Sequence, residues 1–161
     1  WLAVVQARKV GINFLLSVLV LVWVADIFAY FSGRAFGLRF TKGKLAPSIS
    51  PGKSWEGVWG GLAGVVVLAF VWVAADVHWH APVSSFYTRM AQQGWWFLVL
   101  ASLFMVAMSV SGDLVESLIK RSAGVKDSSG LLPGHGGVLD RVDALLPTLP
   151  LAMMLTSLAA S

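Results

Sequence analysis

The run from Ser117 to Asp143, SLIKRSAGVKDSSGLLPGHGGVLDRVD, concentrates the residue types that handle phosphate. Lys120, Arg121, Lys126 and Arg141 are cations able to grip anionic oxygens, and Asp127, Asp140 and Asp143 are carboxylates. Glu116 stands just before the run. His135, Gly136 and Gly137 belong to a Pro-Gly-His-Gly-Gly turn, where backbone N–H groups can gather around an anion. His135 could serve as a phosphate ligand, a base or a plain loop residue. Cations, hard oxygen ligands and a glycine turn of close approach are the parts of phosphoryl-group chemistry.

Carboxylates elsewhere extend the set. On a helical wheel Ser109, Asp113, Glu116, Ser117 and Lys120 share one face, and Leu114, Val115, Leu118 and Ile119 share the other. Glu116 and Lys120, spaced i,i+4, read as an ion pair on a solvated face. Asp113 follows Ser-Gly at the end of an apolar stretch, where an acid is costly unless something occupies it. Asp140 and Asp143 begin the last apolar stretch one turn apart. Capping and the helix dipole account for Asp143 as well as function does, whereas the glycine turn and Arg141 beside Asp140 favour function. Asp113 and Asp140, on different helices, would give a hard oxygen site for Mg2+ with positions left open for phosphate oxygens.

Asp26, in VWVADIFAY, is a carboxylate inside an apolar stretch and is a functional candidate by default. A hydrogen bond to Tyr30 or to a neighbouring helix is its structural explanation. Segment SISPGKSWEG, with Lys53 and Ser54, resembles a phosphate loop but lacks the GxxxxGK[ST] spacing, and no strand is expected before it. His78 and His80 form an HxH pair without a third ligand and read as exposed loop residues.

These residues need a scaffold, and the composition says which. Hydrophobic residues are 57% of the chain and charged residues 12%, about half the charge of a soluble domain. The expected fold is all-α: a polytopic integral membrane protein with four to five transmembrane helices and cytoplasmic catalytic loops. Four stretches are long enough to cross a bilayer: Gly11–Phe31, Gly57–Ala75, Gly94–Gly112 and about Val138–Ala160. Trp1–Val5 reads as the end of an earlier span, and residues 1–161 as one transmembrane catalytic domain, a fragment of a longer chain. Pro147 and Pro150 should bend the last span without abolishing it. Gly57, Gly60, Gly61 and Gly64 predict close helix packing.

Segment 33–54 carries Arg34, Arg39, Lys42, Lys44 and Lys53 and no acid, and segment 113–141 carries four more cations. Two spans separate them, so they share a side, and the excess of cations makes that side cytoplasmic. Arg8, Lys9 and Arg89 fall on the other side. The net charge of +4 suits anionic lipid and nucleotides, but basic loops account for it equally, and no nucleic-acid partner is expected. Without cysteine, the chain has no disulfide, thiolate nucleophile or Cys-based metal site.

The spacing Ser117-x2-Lys120-Arg121-x4-Lys126-Asp127, followed by His135-Gly136-Gly137-x2-Asp140-Arg141-x-Asp143, resembles the signature of the phosphatidate cytidylyltransferases, or CDP-diacylglycerol synthases. Asp26-x2-Ala29-Tyr30 and Ser50-Pro51-Gly52-Lys53-Ser54-Trp55-Glu56-Gly57 look like upstream motifs of the same family. The likeness runs from about residue 20 to the C-terminus, with Ser128-Ser129-Gly130 a small departure. It implies attack of phosphatidic acid on the α-phosphate of CTP, giving CDP-diacylglycerol and pyrophosphate at a multi-pass inner (plasma) membrane protein. It also implies Mg2+ at Asp113 and Asp140, with room for a second cation. Lys120, Arg121, Lys126 and Arg141 would hold substrate phosphates, with Lys53 and Ser54 closing the site; a homodimer is compatible. The nearest rival is a CTP-dependent lipid or polyprenol kinase, which needs the same toolkit. A membrane transporter would show more polar residues at mid-membrane than the lone Asp26. CDP-alcohol phosphotransferases begin an acidic helical motif that neither Asp113 nor Asp140 starts.

Overall fold

The computed structural model describes residues 2–37, 39, 44–46, 50–125 and 144–159, with the side chain of Pro51 excepted. The elements in chain order are α1 (Leu2–Val10), α2 (Ile12–Phe36), β1 (Lys44–Ala46), β2 (Ser50–Ser54), α3 (Trp55–His78), α4 (Phe86–Gln92), α5 (Trp95–Ser122) and α6 (Leu145–Ala159). The protein is an all-α polytopic membrane protein, with one two-stranded antiparallel hairpin attached. Among the described residues, α2, α3 and α5 are long and apolar enough to cross a membrane, and α6 is a shorter apolar helix.

The three long helices overlap the expected spans. Helix α2 ends five residues past the expected Phe31, and α5 runs on ten residues past Gly112, as the helical polar face from Ser109 to Lys120 predicts. Along α5 the extension is sheltered on one side, where Ser109 and Glu116 are buried against the rest of the protein. The last expected span is described only from Leu145, where α6 runs through Pro150; residues 138–143 lie outside the described residues. Pro147 falls in the first turn of α6, where a missing N–H removes no helical bond. The stretch before the first long span forms the short helix α1, which carries Arg8 and Lys9 in its last turn. It breaks from α2 at Gly11, whose φ of 146° suits glycine and whose missing Cβ makes room for Val83.

Helices α2 and α3 pack most intimately. A Cβ at Gly57 or Gly61 would stand 2.9 Å from the carbonyl oxygens of Ala29 and Ala25, one at Gly64 2.5 Å from the Phe28 ring, and one at Gly60 inside the Ser32 side chain. The expected glycine contact is therefore present, and it brings two helix backbones together. Phe14, Val18, Leu21, Val65, Leu98 and Met105 fill the centre of the bundle. Trp59, Trp79, Trp95 and Trp96 remain largely exposed at helix ends, as aromatic residues of a membrane interface do.

At the end of the bundle away from the hairpin, a polar knot ties three helices. The Asp76 Oδ1 accepts from Asn13 Nδ2 at 2.8 Å, and Oδ2 accepts from the Ser85 N–H at 3.1 Å and from Thr88 Oγ1 at 2.5 Å. Trp72 Nε1 donates to Asn13 Oδ1, and the Phe86 N–H donates to Ser17 Oγ. Helices α2, α3 and α4 are thereby fastened through hydrogen bonds between residues up to 69 positions apart.

Candidate functional site

The opposite end is built differently. The C-terminus of α2, the hairpin, the N-terminus of α3 and the C-terminal half of α5 meet around a cavity of about 420 Å3, within the usual size of small-molecule sites. Asp26, Tyr30 and Arg34 come from α2, Gly52, Lys53 and Ser54 from β2, and Val106, Val110 and Asp113 from α5. The sequence spreads these groups over nearly ninety positions, and the crossing of α2, α3 and α5 gathers them.

The hairpin pairs Lys44 with Ser54 and Ala46 with Ser50, so a strand does precede the Gly-Lys-Ser stretch, contrary to expectation. Strand β2 passes into α3 without a linker. Ser54 is the N-cap of that helix: its backbone is extended, and its Oγ accepts from the Gly57 N–H at 3.2 Å. Lys53, one residue earlier, is thereby fixed at the cavity. Gly33 has no side chain to keep Ser54 away from α2, since a Cβ there would lie 3.2 Å from Ser54 Oγ.

Lys53 Nζ forms an ion pair with Asp113 Oδ2 across the cavity, between the hairpin and α5. Both side chains are about a quarter to a third exposed, so the pair stays within reach of an incoming ligand. Ser117 Oγ donates to Asp113 Oδ1 at 3.5 Å. Asp26 lines the same cavity from α2. The hydroxyl of Tyr30 accepts from Arg34 Nη1 at 3.0 Å.

Glu116 and Lys120 pair at 3.5 Å as their spacing predicts, but on a buried face, with side chains only 10% and 16% exposed. The expected solvated face is thus turned inward. Val115, Leu118 and Ile119 are exposed instead, an arrangement that suits a helix end bathed in lipid and lined inside by polar groups. Arg121 lies in the last turn of α5 and is exposed.

The structure brings together Asp26, Lys53, Ser54 and Asp113 of the expected site. Lys126, Asp127, His135, Gly136, Gly137, Asp140, Arg141 and Asp143 lie outside the described residues. Among the described residues no cluster of three or more His, Asp or Glu forms a metal cage. His78 and His80 stand at the other end of α3, far along the chain from the cavity lining. The sequence reading treated Arg34 as a loop cation; the structure puts it in the last turn of α2, lining the cavity. Its i,i+4 spacing from Tyr30 was the available signal.

Comparison with known proteins adds a second line of argument. The model of the Cytidylyltransferase family matches residues 1–159. The chain is 52% identical over 140 residues to the phosphatidate cytidylyltransferase of Haemophilus influenzae, covering 87% of this chain and 44% of that protein. It is 47% identical over 136 residues to the phosphatidate cytidylyltransferase of Pseudomonas aeruginosa, covering 84% and 44%. It is 38% identical over 151 residues to that of Staphylococcus epidermidis, covering 93% and 51%. The chain spans about half the length of the curated relatives it matches.

Proposed function

Because the chain belongs to the cytidylyltransferase family, we propose that the protein transfers the cytidylyl group of CTP to phosphatidic acid. CDP-diacylglycerol and pyrophosphate are the products. One observation carries the reading beyond kinship: Lys53 and Asp113 face each other across a cavity between transmembrane helices, where a lipid phosphate and a nucleotide can meet.

In this reaction a phosphate oxygen of the lipid attacks the α-phosphorus of CTP, and the bond from that phosphorus to the bridging oxygen of pyrophosphate breaks. The attacking group belongs to the substrate, so the protein supplies position and charge rather than a nucleophile. Lys53, on the hairpin, is placed to hold a phosphate oxygen, and Ser54 fixes the backbone that presents it. Lys120 is held inward by Glu116, about two turns beyond Asp113 on α5. Arg121, Lys126, Arg141, His135, Gly136 and Gly137 complete the phosphate-binding set in this reading.

The carboxylates fit a hard divalent cation. Asp113 presents its oxygens to the cavity with an exchangeable lysine as counter-charge, and Asp26 lines the same space. Mg2+ would be held by Asp113 together with Asp140, and when bound it would supply charge neutralisation to the phosphate oxygens. The cavity end would face the cytoplasm of a bacterial inner membrane, where CTP is found, because the cations of segments 33–54 and 113–141 share that side.

Product analysis tests the proposal. Full-length protein given labelled CTP and phosphatidic acid should yield CDP-lipid and pyrophosphate. Release of CDP with transfer of the terminal phosphate to lipid would instead identify a lipid kinase.

A further inference from the structure

We infer that Arg34, held by Tyr30, receives the phosphomonoester headgroup of the lipid substrate at the membrane-facing mouth of the cavity. The inference rests on the proposed reaction for the identity of its ligand and on geometry for the site.

Three observations converge on Arg34. First, the ion pairs of the described residues join Lys53 to Asp113 and Lys120 to Glu116. Arg34 belongs to neither. Its Nη1 donates instead to the neutral Tyr30 hydroxyl, and both residues line the cavity. Among the described residues no carboxylate pairs with this guanidinium, which leaves it available to an anion. Because the Tyr30 oxygen accepts from Arg34, its own O–H remains to donate to a second phosphate oxygen.

Second, Arg34 stands at the depth of lipid phosphates. Helix α2 has 25 residues, about 37 Å, against a hydrocarbon core of about 30 Å. Arg34 occupies its last turn and therefore lies at the headgroup level.

Third, the pair borders the lipid-facing surface. Ile27, Tyr30 and Phe31 are exposed on α2, and an apolar surface of that kind on a membrane helix meets acyl chains. A lipid lying against α2 would present its phosphate to Arg34 at the wall of the cavity. Nucleotide phosphate arrives from the aqueous phase and has no need of this position. A phosphomonoester carries between one and two negative charges and three acceptor oxygens, and the planar Arg fork takes two of them at once, which a Lys cannot do.

The test uses full-length protein in mixed micelles, with phosphatidic acid and CTP varied separately. Arg34→Gln should raise the KM for phosphatidic acid by about 10-fold or more, the loss expected of a charge-assisted hydrogen bond, and shift the KM for CTP far less. Arg34→Lys, which keeps the surface charge, should recover only part of the loss. Tyr30→Phe should raise the lipid KM by a few-fold, acting through Arg34. Full recovery in Arg34→Lys would reduce Arg34 to membrane-surface charge, and a rise in the KM for CTP instead would reassign it to the nucleotide. Native mass spectrometry of the detergent-purified protein gives a readout free of turnover. Wild type should retain phosphatidic acid in preference to phosphatidylcholine, and Arg34→Gln should lose that preference; an unchanged preference overturns the inference. If wild type makes no CDP-lipid yet binds phosphatidic acid through Arg34, the proposed reaction fails and this site stands.

Discussion

At one end of the bundle Asp76 is enclosed by Asn13, Ser85 and Thr88, neutral donors that come from α2, from α4 and from the segment before it. At the other end Asp113 looks across a cavity at one lysine carried by a hairpin. Both residues are aspartates on long apolar helices, and only Asp113 stands out in the sequence, through the polar face it shares with Glu116, Ser117 and Lys120. The difference lies in their partners. Neutral donors on several elements define one geometry and leave no oxygen to spare, so Asp76 is a fastening. Asp113 has only a long hydroxyl contact from Ser117 and one lysine across the cavity, partners an incoming ligand can displace, which is what a site for metal and phosphate needs.

The contrast is sharpest when the two acids are changed in parallel. Asp113→Asn keeps the shape and removes the charge, so turnover should fall by about 10²–10³-fold, the scale of a lost electrostatic contact in a transition state, while the thermal unfolding of the purified protein stays near wild type. Wild-type turnover in Asp113→Asn at saturating Mg2+ would erase the distinction between the two ends. Asp76→Ala should do the reverse. Removing an acceptor shared by three donors should destabilise the protein by about 2–3 kcal/mol, read as a lower melting temperature, with the KM values for both substrates retained in the folded fraction. The smallest effect belongs to the boundary residue Ser54. Loss of its cap in Ser54→Ala should cost about 1 kcal/mol, and Ser54→Asp, which can cap equally well, should restore the stability. If Ser54→Asp restores melting but not turnover, the hydroxyl or the local charge matters to the cavity and not only to α3.

The sequence made the apolar scaffold legible because span-length hydrophobic runs have few alternative explanations. Close packing by α3 was legible for a similar reason, since Gly57, Gly60, Gly61 and Gly64 leave one helix face without side chains, but the partner α2 was not. Asp113 and Lys53 were visible as candidates, but their pairing was not. It joins residues 60 positions apart through the hairpin, and Ser50–Ser54 carries a proline and a glycine rather than a strand-like alternation. Arg34 was hidden because Ser32 and Gly33 looked like the end of α2, whereas both are sheltered by α3 and the hairpin. The knot around Asp76 has no spacing signature, since Asn13 and Ser17 reach it only through tertiary packing. Asp140, Arg141 and Asp143 rest on their resemblance to the family motif.

The glycine contact between α2 and α3 has a mechanical consequence. Two helices whose backbones touch cannot slide or tilt against each other without forcing Phe28 or Ser32 into the neighbouring main chain. They therefore act as one stiff plate, which carries Asp26, Tyr30 and Arg34 on one half and Ser54 on the edge of the other. Any breathing of the cavity must come from its other walls, by a swing of the hairpin or a lean of α5. Lys53 and Asp113, which sit on those two walls, are the pair whose separation measures that motion.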